Sequence, residues 1–237
     1  MKTPTCIILS VLPISVMSFS KPRIIRLHSS QLAAVREGTF GMGCFWEPSE
    51  ELLKVDGVID TVAGYTGNPS ATTAPTYDTV CFGNKWVEGV RVTYDDNKIS
   101  YEELLESFFE TQKPKLGSRQ YASIIFPHDE EQQKLASEWI QNNSDRERKD
   151  GFMPQWTAIE PLSKFYQAEG YHQNYWQKQR PRFALIFCLL AVATGALDSI
   201  TPDEYEKTVE TFANGSVLAI ALVQILERVI DAKVVEL

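Results

Sequence analysis

The chain has 237 residues, a length that suits one sizeable hydrophobic core with appendages. It carries 23 Lys and Arg against 31 Asp and Glu, and the resulting net charge of −8 disfavours nucleic acid and anionic lipid surfaces as partners. The 4 cysteines are too widely spaced for a disulfide framework, and none forms a zinc-type spacing with any of the 3 histidines, so no metal site is expected.

Residues 1–36 contain no acidic residue and are predicted to be a targeting presequence. Lys2 precedes an apolar run at 6–16 that is too short to cross a bilayer but typical of a signal peptide, with small residues near Ser18 for cleavage. The following residues, 19–34, carry arginines and serines as transit peptides do. A signal followed by a transit-like stretch resembles the two-part presequences of proteins imported into secondary plastids. A plastid location is therefore expected, with a mitochondrial or secretory destination, or an unstructured tail, as the alternative.

From Gly38 onwards, hydrophobic periodicity and turn residues predict alternating strands and helices. Ser100 and Glu103 form a capping box at the start of one helix. The order of elements predicts an α+β fold with a ferredoxin-like split βαβ core, a two-layer sandwich with helices on one face of an antiparallel sheet. The expected strands lie at 38–43, 58–63, 86–94, 122–126 and 156–159, and the expected helices at 47–55, 100–109 and 129–142.

The C-terminal residues 183–237 form a more apolar segment. Two apolar runs, 183–197 and 217–226, flank a charged stretch at 203–210. Both runs are shorter than the ~20 residues that cross a bilayer as a helix. We therefore expect a C-terminal helical hairpin that packs on the domain or on a partner, without membrane contact. A membrane-associated tail is the alternative.

Cys44 is a candidate nucleophile. It lies where the first predicted strand meets the first helix, next to unpaired backbone N–H groups and the positive end of the helix dipole, both of which stabilise a thiolate. The alternative is a small cysteine buried in a tight turn beside Gly43. Phe45 and Trp46 follow the thiol and offer an apolar wall for a methyl-bearing group, although aromatic residues beside a turn often belong to the core.

Glu88 shares a predicted strand face with Trp86, Val90 and Val92 by the two-residue period of a strand. That face must point into a core or a cavity, and an apolar environment raises the pKa of a carboxyl group until it can donate a proton near neutral pH. Glu88 is therefore a candidate general acid. The alternative is an edge-strand glutamate that turns out to solvent.

Together with further motifs, these residues resemble the ordered motifs of the type A peptide methionine sulfoxide reductases. The motifs are Gly43-Cys44-Phe45-Trp46, Gly64-Tyr65-Thr66-Gly67, Pro75-Thr76-Tyr77, Val80-Cys81-Phe82-Gly83, Glu88 in its strand, and Phe165-Tyr166-Gln167-Ala168-Glu169-Gly170-Tyr171-His172-Gln173. The resemblance covers residues 39–175, and the distant Tyr-His-Gln segment in the right order makes it specific. It implies that residues 37–182 form a methionine sulfoxide reductase domain.

The resemblance implies a reaction in which a thiolate attacks the sulfoxide sulfur while an acid protonates the oxygen, leaving methionine and a cysteine sulfenic acid. The family repairs the S epimer of methionine sulfoxide, free or in oxidised proteins, and holds no bound cofactor. Its electrons come from thiols, with thioredoxin or a glutaredoxin-type protein as the reductant. The implied roles are Cys44 as nucleophile, Glu88 as acid, Tyr77 and Tyr121 as hydroxyls that hydrogen-bond the sulfoxide oxygen, and Phe45 with Trp46 as the pocket for the S-methyl group.

The sequence departs from the family pattern in two loops. Lys85-Trp86-Val87 stands before the acid where relatives show Gly-His-Ala, in a loop one residue shorter. The segment 110–120 lacks the aspartate that would help to hold the substrate, and Lys115 or Leu116 stands near its place. Altered substrate anchoring is therefore expected.

The cysteine that resolves the sulfenic acid has two candidates. Cys188 is C-terminal, as family resolving cysteines often are, but lies in an apolar run where a core thiol is the plainer interpretation. Cys81 follows the loop that carries Tyr77 and is the alternative. If neither serves, an external thiol must attack the sulfenic acid directly.

Two other functions compete with the reductase. The missing loop aspartate is compatible with a non-catalytic module that binds methionine-rich or oxidised segments. His172 paired with Cys44 would suggest a cysteine hydrolase, but the neighbouring Tyr171, Gln173 and Tyr175 favour a structural, hydrogen-bonding histidine.

Overall fold

The computed structural model describes residues 34–196 and 203–236, so the predicted presequence lies almost wholly outside the described residues. Seven strands and six α-helices alternate along this part of the chain. In order they are β1 (Val35–Met42), α1 (Trp46–Leu53), β2 (Val58–Thr66), α2 (Tyr77–Cys81), β3 (Val87–Asp95), α3 (Tyr101–Thr111), β4 (Ser123–Phe126), α4 (Glu130–Asn142), β5 (Ala158–Ile159), β6 (Tyr166–Gln167), α5 (Tyr175–Ala193), α6 (Asp203–Ile230) and β7 (Val235–Glu236).

The strands form one sheet in the order β5-β4-β1-β3-β2-β6-β7. Its four central strands, β4-β1-β3-β2, are paired antiparallel, with Phe40 opposite Val90 and Tyr65 opposite Glu88. This is the strand order of a ferredoxin-like split βαβ core, and the predicted α+β fold is confirmed. The short β5 adds in parallel to β4.

Helices α1, α3 and α4 form the second layer, and aromatic side chains fill the space between it and the sheet. Phe40 of β1 stacks on Phe108 of α3 with ring centroids 5.0 Å apart. Ser100 and Glu103 form the predicted capping box of α3, because the Ser100 hydroxyl accepts from the Glu103 backbone N–H and the Glu103 carboxylate accepts from the Ser100 N–H. The Asp129 carboxylate caps α4 in a similar way.

The ends of the domain differ from the expected element bounds. Strand β1 begins at Val35, because Val35 pairs with Asp95 on β3. Helix α2 was not expected from the sequence, and it is opened by a capping box of Thr76 and Thr79. Hydrophobic periodicity does not indicate pairing between distant strands. It also does not indicate a short helix whose only signal is its polar capping residues.

Helices α5 and α6 confirm the predicted pair of C-terminal helices. The end of α6 lies beside the start of α5, where Gln224 donates to Gln179 at 3.1 Å and Arg182 pairs with Glu227. After α6 the chain returns to the domain, and β7 pairs with β6. Within the described residues, one helix, Glu204–Ile230, is long and apolar enough to cross a membrane by length and composition.

Candidate functional site

Cys44 lies in the turn between β1 and α1, and its thiol is half-buried. The turn depends on Gly43, whose φ of 75° is in the left-handed region and whose missing Cβ would collide with the carbonyl oxygen of Lys113. Burial raises the pKa of the Cys44 thiol above its ordinary value of 9.0, a backbone hydrogen bond at Trp46 opposes this, and the charge of Glu88 adds to it. The expected stabilisation of the thiolate by the helix start is therefore outweighed by desolvation.

Glu88 points inward from β3 and is 2% exposed, as its strand register predicted. Its Oε1 accepts a hydrogen bond of 2.6 Å from the Gln120 side chain, and its Oε2 accepts one of 3.2 Å from the backbone N–H of Phe45. Burial raises the pKa of Glu88 to about 7, although both hydrogen bonds act to lower it. The carboxyl group is thus held beside the Cys44 turn, and its burial favours the protonated form near neutral pH.

Tyr77 and Tyr121 place two hydroxyl groups near Glu88. Burial raises the pKa of Tyr77, with further contributions from a hydrogen bond with Cys81 and the charge of Glu88. Burial also raises the pKa of Tyr121 to about 12, with the charges of Glu88 and Cys44 next. Both phenols are therefore protonated at neutral pH and able to donate hydrogen bonds.

Phe45 and Trp46 occupy different surroundings. Phe45 is 1% exposed, and its ring lies 5.9 Å from that of Tyr65, so it belongs to the core beneath the site. Trp46 is half-buried and stacks on Tyr175 at 4.0 Å. Its indole N–H donates to Nδ1 of His172 at 2.9 Å, which orients the ring at the edge of the site.

His172 is 3% exposed and has a structural position. Burial, helped by the charge of Arg228, lowers the pKa of His172 to about 4, so the ring is neutral. Because the Trp46 indole can only donate, Nδ1 is the acceptor and the proton is on Nε2, which lies 3.7 Å from Glu169. Both ring nitrogens thus face residues other than Cys44, which removes the geometry that a cysteine hydrolase requires.

A cleft of about 510 Å³ opens beside these residues, between the domain and the C-terminal helices. Trp46, Tyr77 and His172 line it on one side, and Gln224 and Arg228 of α6 line it on the other. Cys44, Glu88 and Tyr121 are not among the residues that line this cleft, so the C-terminal extension borders the edge of the site at Trp46 and Tyr77. Among the described residues there is no cluster of three or more side chains suited to hold a metal ion.

Two further cysteines lie at very different places. Cys81, at the end of α2, is half-buried and lies 3.6 Å from the same Gln120 amide nitrogen that donates to Glu88. Cys188 is exposed on α5. It follows Tyr175, the residue stacked on Trp46, by more than three helical turns, which places it about 20 Å along the helix at 1.5 Å per residue.

Sequence reasoning missed Gln120 and the contacts of Gln173. The Gln173 side chain accepts from the Ala63 N–H at 3.0 Å and donates to the Ala63 and Ala168 carbonyls at 2.9 Å, so it joins β2 to the segment that carries His172. Gln120 is a single glutamine beside Tyr121, and no sequence pattern marks it as a site residue. Gln173 could have been found, because it belongs to the Tyr-His-Gln motif.

A half-buried thiol beside a carboxyl group of raised pKa and two tyrosine hydroxyls, on an α+β sandwich, defines a thiol-dependent oxidoreductase. The comparisons with known proteins agree. The peptide methionine sulfoxide reductase family matches residues 36–193. The chain belongs to this family.

Relatives and a solved structure show how far the likeness extends. A peptide methionine sulfoxide reductase MsrA of Methanothermobacter thermautotrophicus is 37% identical over 169 residues, which cover 68% of this chain and 97% of that protein. One of Rhodospirillum centenum is 39% identical over 155 residues, or 62% of this chain and 70% of the relative. The methionine sulfoxide reductase A structure of Corynebacterium diphtheriae is 26% identical, with a TM-score of 0.52, and covers 62% of this chain and 76% of its own.

Proposed function

We propose that this protein reduces methionine-S-sulfoxide, free or in oxidised proteins, with Cys44 as the nucleophile. The observation that carries the proposal is the placement of Glu88. Its carboxyl group is buried, has a pKa raised to about 7, and accepts from the N–H of the residue that directly follows Cys44. The turn between β1 and α1 therefore places the Cys44 sulfur and the Glu88 carboxyl group close enough to act on the sulfur and the oxygen of one sulfoxide group.

The chemistry needs a proton for the oxygen and an electron pair for the sulfur. The hydroxyls of Tyr77 and Tyr121 and the protonated Glu88 donate to the sulfoxide oxygen, which makes the sulfur more electrophilic. The Cys44 thiolate attacks that sulfur and forms an S–S bond, while the Glu88 proton passes to the oxygen. The hydroxyl group then moves from the substrate sulfur to the Cys44 sulfur as the S–S bond breaks, and methionine leaves with the electron pair of that bond. Cys44 then carries the hydroxyl group as a sulfenic acid. Trp46 in the cleft supplies an apolar wall for the S-methyl group, and Phe45 supports it from the core.

In the reactive state, Glu88 is protonated and Cys44 is a thiolate, so the two groups together carry one proton. Both groups have raised pKa values, that of Glu88 to about 7 and that of Cys44 above 9.0. The state with one shared proton is therefore most populated between about pH 7 and the thiol's pKa. The rate constant kcat/KM is expected to follow this population.

For regeneration, the positions of the cysteines favour Cys81 over Cys188 as the resolving residue. Cys81 contacts the Gln120 amide that also holds Glu88, whereas Cys188 lies about 20 Å along α5 from Tyr175, the residue stacked on Trp46. The Cys81 thiol attacks the sulfenic sulfur, a disulfide between Cys44 and Cys81 forms, and water leaves. A dithiol protein of the thioredoxin or glutaredoxin type then reduces the disulfide by exchange.

The test is turnover of dabsylated methionine-S-sulfoxide with dithiothreitol as reductant. The wild-type protein is expected to form methionine and the Cys44→Ser variant none. Absence of product with the wild type would remove the reductase function, and tight binding without turnover would support a binding module instead. A preference for the R epimer would contradict the proposed substrate.

Two variants test the regeneration step separately. Cys81→Ser is expected to form one equivalent of methionine in a single turnover but to lose thioredoxin-driven turnover by on the order of a hundredfold. Cys188→Ser is the matched control and should keep both reactions. If Cys188→Ser loses the thioredoxin-driven reaction and Cys81→Ser keeps it, the assignment is reversed.

We also propose that residues 1–36 are a plastid-targeting presequence ahead of a reductase domain at 37–182 and a helical extension at 183–237. The acid-free, Arg- and Ser-bearing composition of the first segment supports this. Fusion of residues 1–36 to a fluorescent protein should direct it to plastids. Retention of the fusion in mitochondria or its secretion would contradict the plastid assignment.

A further inference from the structure

The two C-terminal helices expose apolar side chains where a water-soluble protein would place polar ones. Phe187 of α5 is 72% exposed, and on α6 Phe212 is 73% and Leu218 66% exposed. A helix on the surface of a soluble protein turns its polar face outward, whereas a helix that is apolar on all sides belongs in a core or in a membrane. The outward surface of α5 and α6 is therefore suited to an apolar environment.

Charged residues are absent from long stretches of these two helices. Residues 183–193 of α5 and 211–226 of α6 contain no Asp, Glu, Lys or Arg. On α6, the helix rise between Glu210 and Glu227 is about 25 Å, close to the ~30 Å hydrocarbon core of a bilayer, and bilayers adapt to a shortfall of this size. Only 6% of the most apolar part of α6 is buried within the protein.

The uncharged stretches of α5 and α6, residues 183–193 and 211–226, together form an apolar belt. The two ends of this belt differ in charge. At the domain end, basic residues (Lys178, Arg180, Arg182 and Arg228) outnumber acidic ones (Glu227 and Asp231). Two of the arginines also form ion pairs within the protein, Arg182 with Glu227 and Arg180 with Glu50. The far end of α6 begins with an acidic segment, 203–210. Basic residues gathered at the domain end, where lipid headgroups would lie, are complementary to anionic headgroup phosphates. The net charge of −8, which argued against lipid, averages over a molecule whose charges are locally separated.

The distribution of the exposed residues favours lipid over a second copy of the chain. Phe212 and Leu218 on α6 are both more than half exposed, lie outside the cleft lining, and at 100° per residue point about 120° apart. Phe187 and Leu185 add an exposed apolar surface on α5. A partner hairpin would cover one side of such a pair, whereas a bilayer surrounds it.

We propose that the pair α5–α6 inserts into a lipid bilayer that contains anionic lipids, with the reductase domain held at the surface on the side of Arg180 and Arg182. The assignment rests on exposure, charge and length and is independent of the activity of Cys44. It departs from the expectation of a hairpin without membrane contact and takes up the alternative of a membrane-associated tail. Helix α6 spans Asp203–Ile230 and is therefore much longer than the apolar run at 217–226.

The test is flotation of the full-length protein with vesicles of phosphatidylcholine and roughly a quarter phosphatidylglycerol, followed by a carbonate wash. The wild type should float and remain with the vesicles. The variant Leu218→Glu/Leu222→Glu, changed at two outward positions away from the cleft, should lose on the order of a hundredfold or more in membrane partition. The control Lys207→Gln/Thr208→Glu makes the same charge change on α6 outside the belt and should float like the wild type.

A second variant, Phe187→Glu/Leu190→Glu on α5, guards against a folding defect specific to α6. All variants should reduce free methionine sulfoxide in detergent like the wild type, which shows that the domain is intact. A wild-type protein that stays at the bottom of the gradient overturns the proposal, as does flotation of both Glu variants, since another segment then binds the lipid. A detergent-free dimer, measured by light scattering, that the Glu variants convert to monomers would assign the surface to a second copy.

Discussion

The raised pKa of Glu88 predicts a specific dependence of stability on pH. In the folded protein, burial moves this pKa from 4.5 to about 7, and the side chain is 2% exposed. The unfolded chain releases the proton near pH 4.5, whereas the folded chain keeps it until about pH 7. The folded state therefore binds more protons between these values, and the free energy of unfolding falls as the pH rises through them. At 1.36 kcal/mol per unit, the loss is about 3 kcal/mol.

Glu88→Gln removes this titration and should flatten the pH dependence. The replacement adds a pH-independent cost, because the amide that takes the place of the carboxyl group faces two donors, the Phe45 N–H and the Gln120 amide. The measurement is therefore the change in the free energy of unfolding between about pH 5 and 8, from urea titrations followed by circular dichroism. We expect this change to be about 2–3 kcal/mol smaller in the variant than in the wild type.

The control for this experiment is Glu102→Gln, which makes the same chemical change at an exposed position of α3. It should keep the pH dependence of the wild type. If Glu88→Gln keeps it as well, burial does not raise the pKa of Glu88, and its role as proton donor loses its physical basis. In the reductase assay, loss of the acid should lower kcat/KM by roughly 10²–10⁴-fold and remove the bend of the wild-type pH profile near pH 7.

Three further outcomes are expected. Tyr121→Phe should lower kcat by roughly 10–100-fold with little change in stability, since one hydrogen bond to the developing charge is lost, and an unchanged kcat in steady-state assays would contradict its role. Gly43→Ala should give little folded protein by circular dichroism, because the new Cβ would collide with Lys113. Gly117→Ala is the matched control, since Gly117 has a similar left-handed φ but open space, and it should cost only the backbone strain. Gln173→Leu leaves buried backbone groups unpaired and should lower the free energy of unfolding by about 2–4 kcal/mol in urea titrations; a loss below about 1 kcal/mol would show that water replaces its contacts.

Those parts of the fold that depend on local signals were predictable from the sequence. The two-residue period of β3 placed Glu88 on the inward face, and the Ser100 and Glu103 pair located the start of α3. Both signals act between residues close in sequence. The order of elements then predicted the sheet order, because split βαβ connections leave few arrangements of four strands.

What the sequence could not provide depends on contacts between distant segments. Gln120 meets Glu88 across 32 positions, and nothing near it marks it as a site residue. The direction of the Cys44 pKa follows from how much of the thiol the fold buries, which no local pattern contains. The choice between Cys188 and Cys81 as the resolving cysteine is a similar case, since it depends on where α5 and α2 place the two thiols, which the sequence does not show.

The backbone of the turn between β1 and α1 explains why the raised pKa values of Glu88 and Cys44 depend on each other. Of the N–H groups at the start of α1, the one at Trp46 interacts with Cys44, whereas the Phe45 N–H donates to Glu88. Burial is the main reason that the pKa of the Cys44 thiol is raised, and the charge of ionised Glu88 adds to it. When Glu88 takes up a proton, that charge disappears and the carboxyl group becomes a donor. In the mechanism proposed above, the same proton therefore serves the departing oxygen and removes one of the causes that oppose thiolate formation, while burial of the thiol remains.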